Sequence, residues 1–224
     1  LEGAGVEVLT ESTVSEIRSK DAHLVGVTVR GAQSGTPECA IDAQLLVFGI
    51  GVRPNVALAQ QAGIKVNRGI VVDEYMRTSA PDVYAAGDVA EAYDLVVDMN
   101  RTVAIWPNAY RQGAIAGAHI VGVPRPDLGG IAMNTVEACG VPAMSIGNGN
   151  AEGSEYEILA ELDERRAVYK RLVLSGDRLV GAILVGNISR AGIYTGLIRN
   201  KLDVSTFRRN LMSEHLGLLS LPAQ

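Results

Sequence analysis

Three short stretches hold the residue types and spacings that could do chemistry. The first is TSAPDVYAAGD, residues 78–88, in which a run of small residues stops on Gly87-Asp88, with a second acid, Glu91, just after. An ionised carboxylate only accepts hydrogen bonds, so Asp88 suits a partner rich in hydroxyl donors, such as a polyol. Gly87 carries no Cβ, which lets a ligand approach the backbone. Taken alone, Gly-Asp before an apolar residue is more commonly a turn or a helix cap. The second stretch is LLVFGIGVRPN, residues 45–55, another apolar run ending in glycines and followed by Arg53. Arg53 could face a phosphate or a carboxylate, and a solvated loop arginine is the simpler reading. Two such runs about forty residues apart weaken the simple reading. The third is WPNAYRQG, residues 106–113, with the chain's one tryptophan placed immediately before an expected helix start. Backbone N–H groups at that start can receive partial negative charge, and Trp106 could stack on a planar ligand or sit in the core.

The elements that must position these residues follow from pattern. Residues 6–9, 13–18 and 24–30 read as strands, the last alternating around Val25, Val27 and Val29. Residues 31–37 are a turn by composition. The continuous apolar run 43–51 suits a strand buried on both faces. Residues 55–63 read as a short helix with Asn55 as N-cap and Gly63 as its stop, and 69–73 as a further strand. Pro107 suits the first turn of a helix over 107–122, in which Gly113, Ala116 and Gly117 would lie together on one flank and admit a close neighbour. Residues 122–130, with two prolines and three glycines, form the best internal boundary. Beyond it five candidate strands succeed one another, with Ser175-Gly176-Asp177 as a hairpin connection, before a helix over 189–201 capped by Ser189. Strands in series followed by a helix predict an α+β module with an antiparallel sheet.

Bulk properties narrow the function. The chain has 224 residues, 47% hydrophobic, with a formal net charge of −5 and no basic run that would suggest nucleic acid. No apolar stretch approaches the roughly 20 residues of a membrane-spanning helix. Cys39 and Cys139 form no CxxC pair, are expected as small buried residues, and fit a reducing cytoplasm. His23, His119 and His215 show no metal-ligand spacing, and no GxSxG nucleophile motif occurs, so a metal or hydrolytic enzyme is disfavoured. The opening LEGAGVEVL has no initiator methionine and reads as a strand already inside a domain, so a piece of a longer protein is expected.

Taken together, GIGVRPN, then GIVVDEYMRTSAPDVYAAGDVAE, then WPNAYRQGAIAGAHIVG resemble the FAD-dependent pyridine nucleotide–disulfide oxidoreductases in order and spacing, from residue 1 to about 122. The later stretch YKRLVLSGDRLVGAILVGNISRAGIYTGLIRNKLDVS is similar to the interface domain of the branch holding assimilatory NADH nitrite reductase flavin domains and NADH:rubredoxin reductases. The resemblance implies an α/β fold made of partial FAD- and NAD(P)-binding Rossmann-like domains, followed by an α+β interface domain. It implies the end of an NAD(P)-binding domain over 1–50, the C-terminal part of an FAD-binding domain over 51–122, a linker over 123–130 and a dimerisation module over 131–224. It further implies that Asp88 accepts from the FAD ribitol, with Gly87 beside the phosphate-ribityl chain. Gly51 would lie near FAD with Arg53 in the following turn, Trp106 beside the isoalloxazine, and Ala109 at the helix start facing the flavin pyrimidine edge. Neither GxGxxG fingerprint of the family occurs, so this chain would carry one wall of the flavin site and bind FAD weakly by itself. The implied activity passes electrons from NAD(P)H through FAD to an acceptor, without a protein acid or base in this half. Rubredoxin, ferredoxin or a nitrite-reductase haem domain are the implied partners of a homodimer. The competing reading is a non-catalytic dimerisation or docking module with relic flavin motifs.

Overall fold

The computed structural model describes residues 1–33, 37–214 and 216–217. Residues 34–36 of the expected turn, and His215, lie outside the described residues. The chain divides into two compact units, Leu1–Val52 and Arg53–Gln224.

The first unit is built on one antiparallel sheet of β1 (Ser12–Lys20), β2 (His23–Gly31) and β3 (Cys39–Asp42), in that order. Lys20 pairs with His23, so the β1–β2 turn has two residues, Asp21 and Ala22, both at positive φ (49° and 62°). Such mirror-image turns match the right-handed twist of the strands they join. Arg18, Gly26 and Asp42 share one register row, and the Arg18 guanidinium crosses β2 to reach the Ile41 carbonyl (3.1 Å) and the Asp42 carboxylate (3.0 Å). Gly26 has to be glycine, because the Arg18 guanidinium and the Ile41 carbonyl occupy the place of a Cβ.

Two strands expected in this unit do not form. Residues 6–9 pair with nothing in a ladder, and neither does the run 43–51, whose Leu45 and Ile50 are 79% and 88% exposed. Apolar composition marks a segment that favours burial, but a strand also needs a hydrogen-bonding neighbour, and beyond the Ala43 N–H on the Val25 carbonyl (3.3 Å) neither run pairs with another strand among the described residues. Cys39 is exposed on the edge strand β3, against the expectation of burial. Cys139 is exposed too, since at φ 52° it forms with Gly140 the two-residue turn after Ala138 and before Val141.

In the second unit, α1 (Ala57–Gln61) is shorter than expected. Its N-cap is Val56, with no side-chain cap bond, so Asn55 falls one residue too early; Gly63 does end it, at φ 71°. A small sheet follows, ordered β4 (Ile70–Val71), β5 (Ala90–Asp94) and β6 (Met99–Arg101), with β4 and β5 parallel. The strand expected over 69–73 is thus two residues long, and the β5–β6 hairpin went unforeseen. Residues 83–86 are extended but form only an isolated bridge, Arg77 with Tyr84. The long helix α2 runs Trp106–Ile120, so Trp106 is its first residue rather than its predecessor. Its inner face closes a core of Val72, Met76, Ala85, Ala90, Ala92 and Ala116. Ala116 is therefore turned into the core, whereas an added Cβ at Gly113 or Gly117 would meet open space. The three small residues therefore do not share one neighbour: Ala116 packs in the core and the two glycines line the exposed edge of the same flank.

All five later strands form: β7 (Met133–Ala138), β8 (Val141–Gly147), β9 (Glu157–Asp163), β10 (Val168–Ser175) and β11 (Arg178–Val185), antiparallel in the order β7-β8-β11-β10-β9. Ser175 pairs with Arg178 across Gly176-Asp177, the hairpin the sequence signals. Alternation puts Leu172, Leu174, Ala182, Leu184 and Ile146 on one face, against Tyr194 and Leu197 of α3 (Ala191–Arg199). The Tyr194 hydroxyl donates to the Leu211 carbonyl (2.8 Å), and burial pushes that phenol up to about 12. The N-cap of α3 is Arg190, not Ser189, whose hydroxyl donates to Asn187 Oδ1 (2.7 Å) instead.

Leu172 is fully buried in this core. Leu172→Ala is expected to cost about 3 kcal/mol, from lost transfer energy and the cavity left behind. Val136→Ala, on an exposed strand position, should stay within about 0.5 kcal/mol. Urea denaturation midpoints of the two variants check the contrast.

Candidate functional site

The Gly87-Asp88 loop is built from β5 outward. Ala86 is extended (φ −147°, ψ 158°), Gly87 turns to φ 82°, and Gly87–Val89 make one 3-10 turn that runs directly into β5. A residue with a side chain is strained at such a φ, so glycine is required here. Two anchors hold the loop. On one side the Gly87 N–H donates to Gln112 Oε1 of α2 (2.8 Å), and a Cβ on Gly87 would lie 3.4 Å from the Ala109 Cβ. On the other side Glu91, 5% exposed, accepts from Asn67 Nδ2 (3.0 Å), the Arg68 N–H (3.0 Å) and the Gly69 N–H (2.9 Å).

The Asp88 carboxylate is exposed and takes no hydrogen bond among the described residues. It is therefore open to hydroxyl donors. Glu91 is the opposite case: the second acid of the motif is a structural clamp on the turn before β4. Burial raises its carboxyl, and the donors from Gly69, Asn67 and Arg68, with the charge of Lys65, outweigh that and hold it below the ordinary 4.5.

The structure thus brings Gly87, with Asp88 next to it in the chain, against Ala109. Trp106 sits one helical turn before Ala109 with its side chain outward, 84% exposed. The first helical N–H to find an acceptor is that of Ala109, on the Ile105 carbonyl (3.1 Å), so the N–H groups of Trp106 and Asn108 stand free of the helix ladder. Gly51 (φ 88°) belongs to the first unit and Arg53 begins the second; both are exposed. Gln112 escaped the sequence reading. Its signal was its place three residues after Ala109, on the same helix face. Among the described residues no group of three His, Cys, Asp or Glu could hold a metal ion, and no helix is long and apolar enough to cross a membrane.

A glycine-acid loop at a sheet, facing the first turns of a long helix, with an antiparallel α+β module behind it, defines the class: a mixed α/β protein of the FAD/NAD-binding oxidoreductase folds with a C-terminal domain. The family model for pyridine nucleotide-disulphide oxidoreductases matches residues 1–113, and the chain belongs to that family. The model for the rubredoxin NAD+ reductase C-terminal domain matches residues 133–202. The chain is 33% identical over 210 residues to the nitrite reductase [NAD(P)H] of Bacillus subtilis (strain 168), covering 92% of this chain and 24% of that protein. It is 28% identical over 223 residues to the NADH-dependent phenylglyoxylate dehydrogenase subunit epsilon of Aromatoleum evansii, covering 96% of this chain and 50% of that one. A solved NAD-dependent persulfide reductase from A. fulgidus superposes with a TM-score of 0.79 at 26% identity, over 92% of this chain and 40% of that chain. The chain therefore spans half or less of each of these proteins.

The lowered carboxyl of Glu91 carries a pH prediction. A depressed folded-state pKa contributes stability that is present above the ordinary 4.5 and lost as pH falls through the lower folded value. Glu91→Gln should flatten stability in that acid window and cost about 1–3 kcal/mol at neutral pH, because one clamp acceptor is replaced by a donor. Urea denaturation from pH 7 to pH 3 checks both.

Proposed function

We propose that this chain is part of a flavoprotein oxidoreductase that passes electrons from NAD(P)H through FAD to an acceptor. The observation that carries the reading is the free Asp88 carboxylate beside a glycine at positive φ that packs against the first turns of α2. FAD, when bound, would accept a hydride, which carries two electrons and one proton. The residues of this chain hold and orient it: Asp88 accepts from ribityl hydroxyls, and the bare Gly87 backbone admits the phosphate-ribityl chain. Gln112 keeps that backbone in place. The N-terminal turn of α2, with Ala109 inward and Trp106 outward, offers N–H groups to the flavin edge that gains negative charge on reduction. Arg53, in the same unit as Asp88, and Gly51, in the first unit, are further FAD contacts on the family resemblance alone.

On this reading residues 1–50 end an NAD(P)-binding domain, 51–122 form the later part of an FAD-binding domain, 123–130 link, and 131–224 form the interface module of a homodimer. Membership of the family supports it, as does the exposed apolar run from Leu45 to Val52, which suits a strand covered by further protein. The similarity of residues 133–202 to a rubredoxin reductase domain supports a small electron-carrier protein, rubredoxin or ferredoxin, as the acceptor, with a haem domain of the nitrite reductase kind as the alternative. Two free cysteines fit a reducing cytoplasm. The isolated chain should retain FAD poorly.

The test uses the full-length protein. It should be yellow as purified, and NADH should bleach it. Asp88→Ala should lower flavin occupancy several-fold without altering the fold read by circular dichroism. A colourless protein that cannot be reconstituted with FAD overturns the reading in favour of a docking module. Unchanged occupancy in Asp88→Ala leaves Asp88 as a turn residue.

A further inference from the structure

Away from the Gly87-Asp88 loop, a cavity of about 250 Å³ opens where three connections of the second unit meet. The β5–β6 turn contributes Leu95 and Asp98, the start of β11 contributes Arg178 and Leu179, and the end of α3 contributes Ile198 and Lys201. The first of these connections lies within the stretch matched to the pyridine nucleotide-disulphide oxidoreductases and the other two within the stretch matched to the rubredoxin reductase domain. Cavities at such junctions are frequent ligand sites.

The lining is divided by chemistry. Leu95, Leu179 and Ile198 are buried side chains and make an apolar floor. Arg178 and Lys201 are exposed at the rim, and neither has an ion-pair partner among the described residues. Two acids lie nearby. Asp98 of the lining accepts from the Tyr93 hydroxyl at 2.5 Å, and Asp203, bridged to Arg178 along the backbone, accepts from the Ser205 N–H at 2.8 Å, with Ser205 and then the Arg178 charge holding its carboxyl below the ordinary 3.8. An apolar floor below two cations, which outnumber the one acid of the lining, is complementary to a molecule with an apolar body and one anionic head. Arginine offers a planar fork to a carboxylate, and lysine a mobile point charge.

We infer that this cavity binds a small organic carboxylate, its body on Leu95, Leu179 and Ile198 and its head between Arg178 and Lys201. The site is separate from the proposed flavin contacts, so its occupancy does not depend on FAD. Its volume matches a single ring or a short chain.

The probe is 4-fluorobenzoate, followed by fluorine NMR line broadening as it is titrated against the protein. The control is 4-fluorobenzylamine, similar in size and opposite in charge. Saturable broadening is expected for the carboxylate and not for the amine. The double variant R178Q/K201Q should weaken binding roughly tenfold, the scale of one lost charge-assisted hydrogen bond. Arg178→Lys, which keeps the charge, should retain most of the affinity. Both positions are exposed, so the variants should melt close to the parent. Broadening that does not saturate, equal binding of the amine, or unchanged affinity in the double variant overturns the inference.

Discussion

The buried carboxylate of Glu91 is the constraint on which the arrangement around Asp88 depends. It sits on β5, next in line after the Gly87–Val89 turn, and collects three N–H donors from residues 67–69. A carboxylate taken from water is costly unless its lone pairs are filled, and here they are filled by the turn that launches β4. That fixes the parallel pairing of Ile70 with Ala90 and Val71 with Glu91. Gly69 is part of the same device, since the Thr102 side chain, the Val89 carbonyl and Glu91 itself fill the space of a Cβ. The loop bearing Gly87 and Asp88 is consequently rigid at its downstream end. Gln112 steadies it from α2.

Buried acids recur as fasteners in this unit. Asp94, fully buried at the end of β5, accepts from Arg101 Nε (2.7 Å) and from the Val96 N–H (2.8 Å), closing the β5–β6 hairpin. Asp127 pairs with Arg111 of α2, while its own N–H donates to the Glu74 carbonyl (2.6 Å), so the Pro/Gly-rich stretch 122–130 is tied to the helix before it. Each buried acid has a partner on at least one carboxylate oxygen (Asp127 through Oδ1 alone), and the acid at the centre of the candidate site is exposed and free. That contrast separates Asp88 from its neighbours more sharply than its sequence context does.

The later strands were legible because each carried its own instruction. Leu172 and Leu174 alternate with Arg171 and Val173, and Gly176-Asp177 supplies the turn, so pattern and turn chemistry agreed. The run 43–51 carried only half an instruction. Its hydrophobicity asked for burial, and nothing local could say which segment would pair with it. Cys139 shows the same limit in reverse: a residue type that is commonly buried was carried to the surface by a two-residue turn. The caps at Asn55 and Ser189 missed by one residue, because helix starts shift with the packing of the first turn.

The amino-acid order by itself determined the antiparallel C-terminal module, the span of α2 to within two residues, and the glycine turn that leads into Asp88. These are local properties, written in periodicity and in the special φ of glycine. Tertiary structure alone decided that Glu91 is a clamp and Asp88 is free, that Gln112 holds the loop, and that Gly87 lies against Ala109. Two carboxylates three residues apart are chemically equivalent on paper. Only folding, by bringing residues 67–69 onto one of them and leaving the other to solvent, made them different.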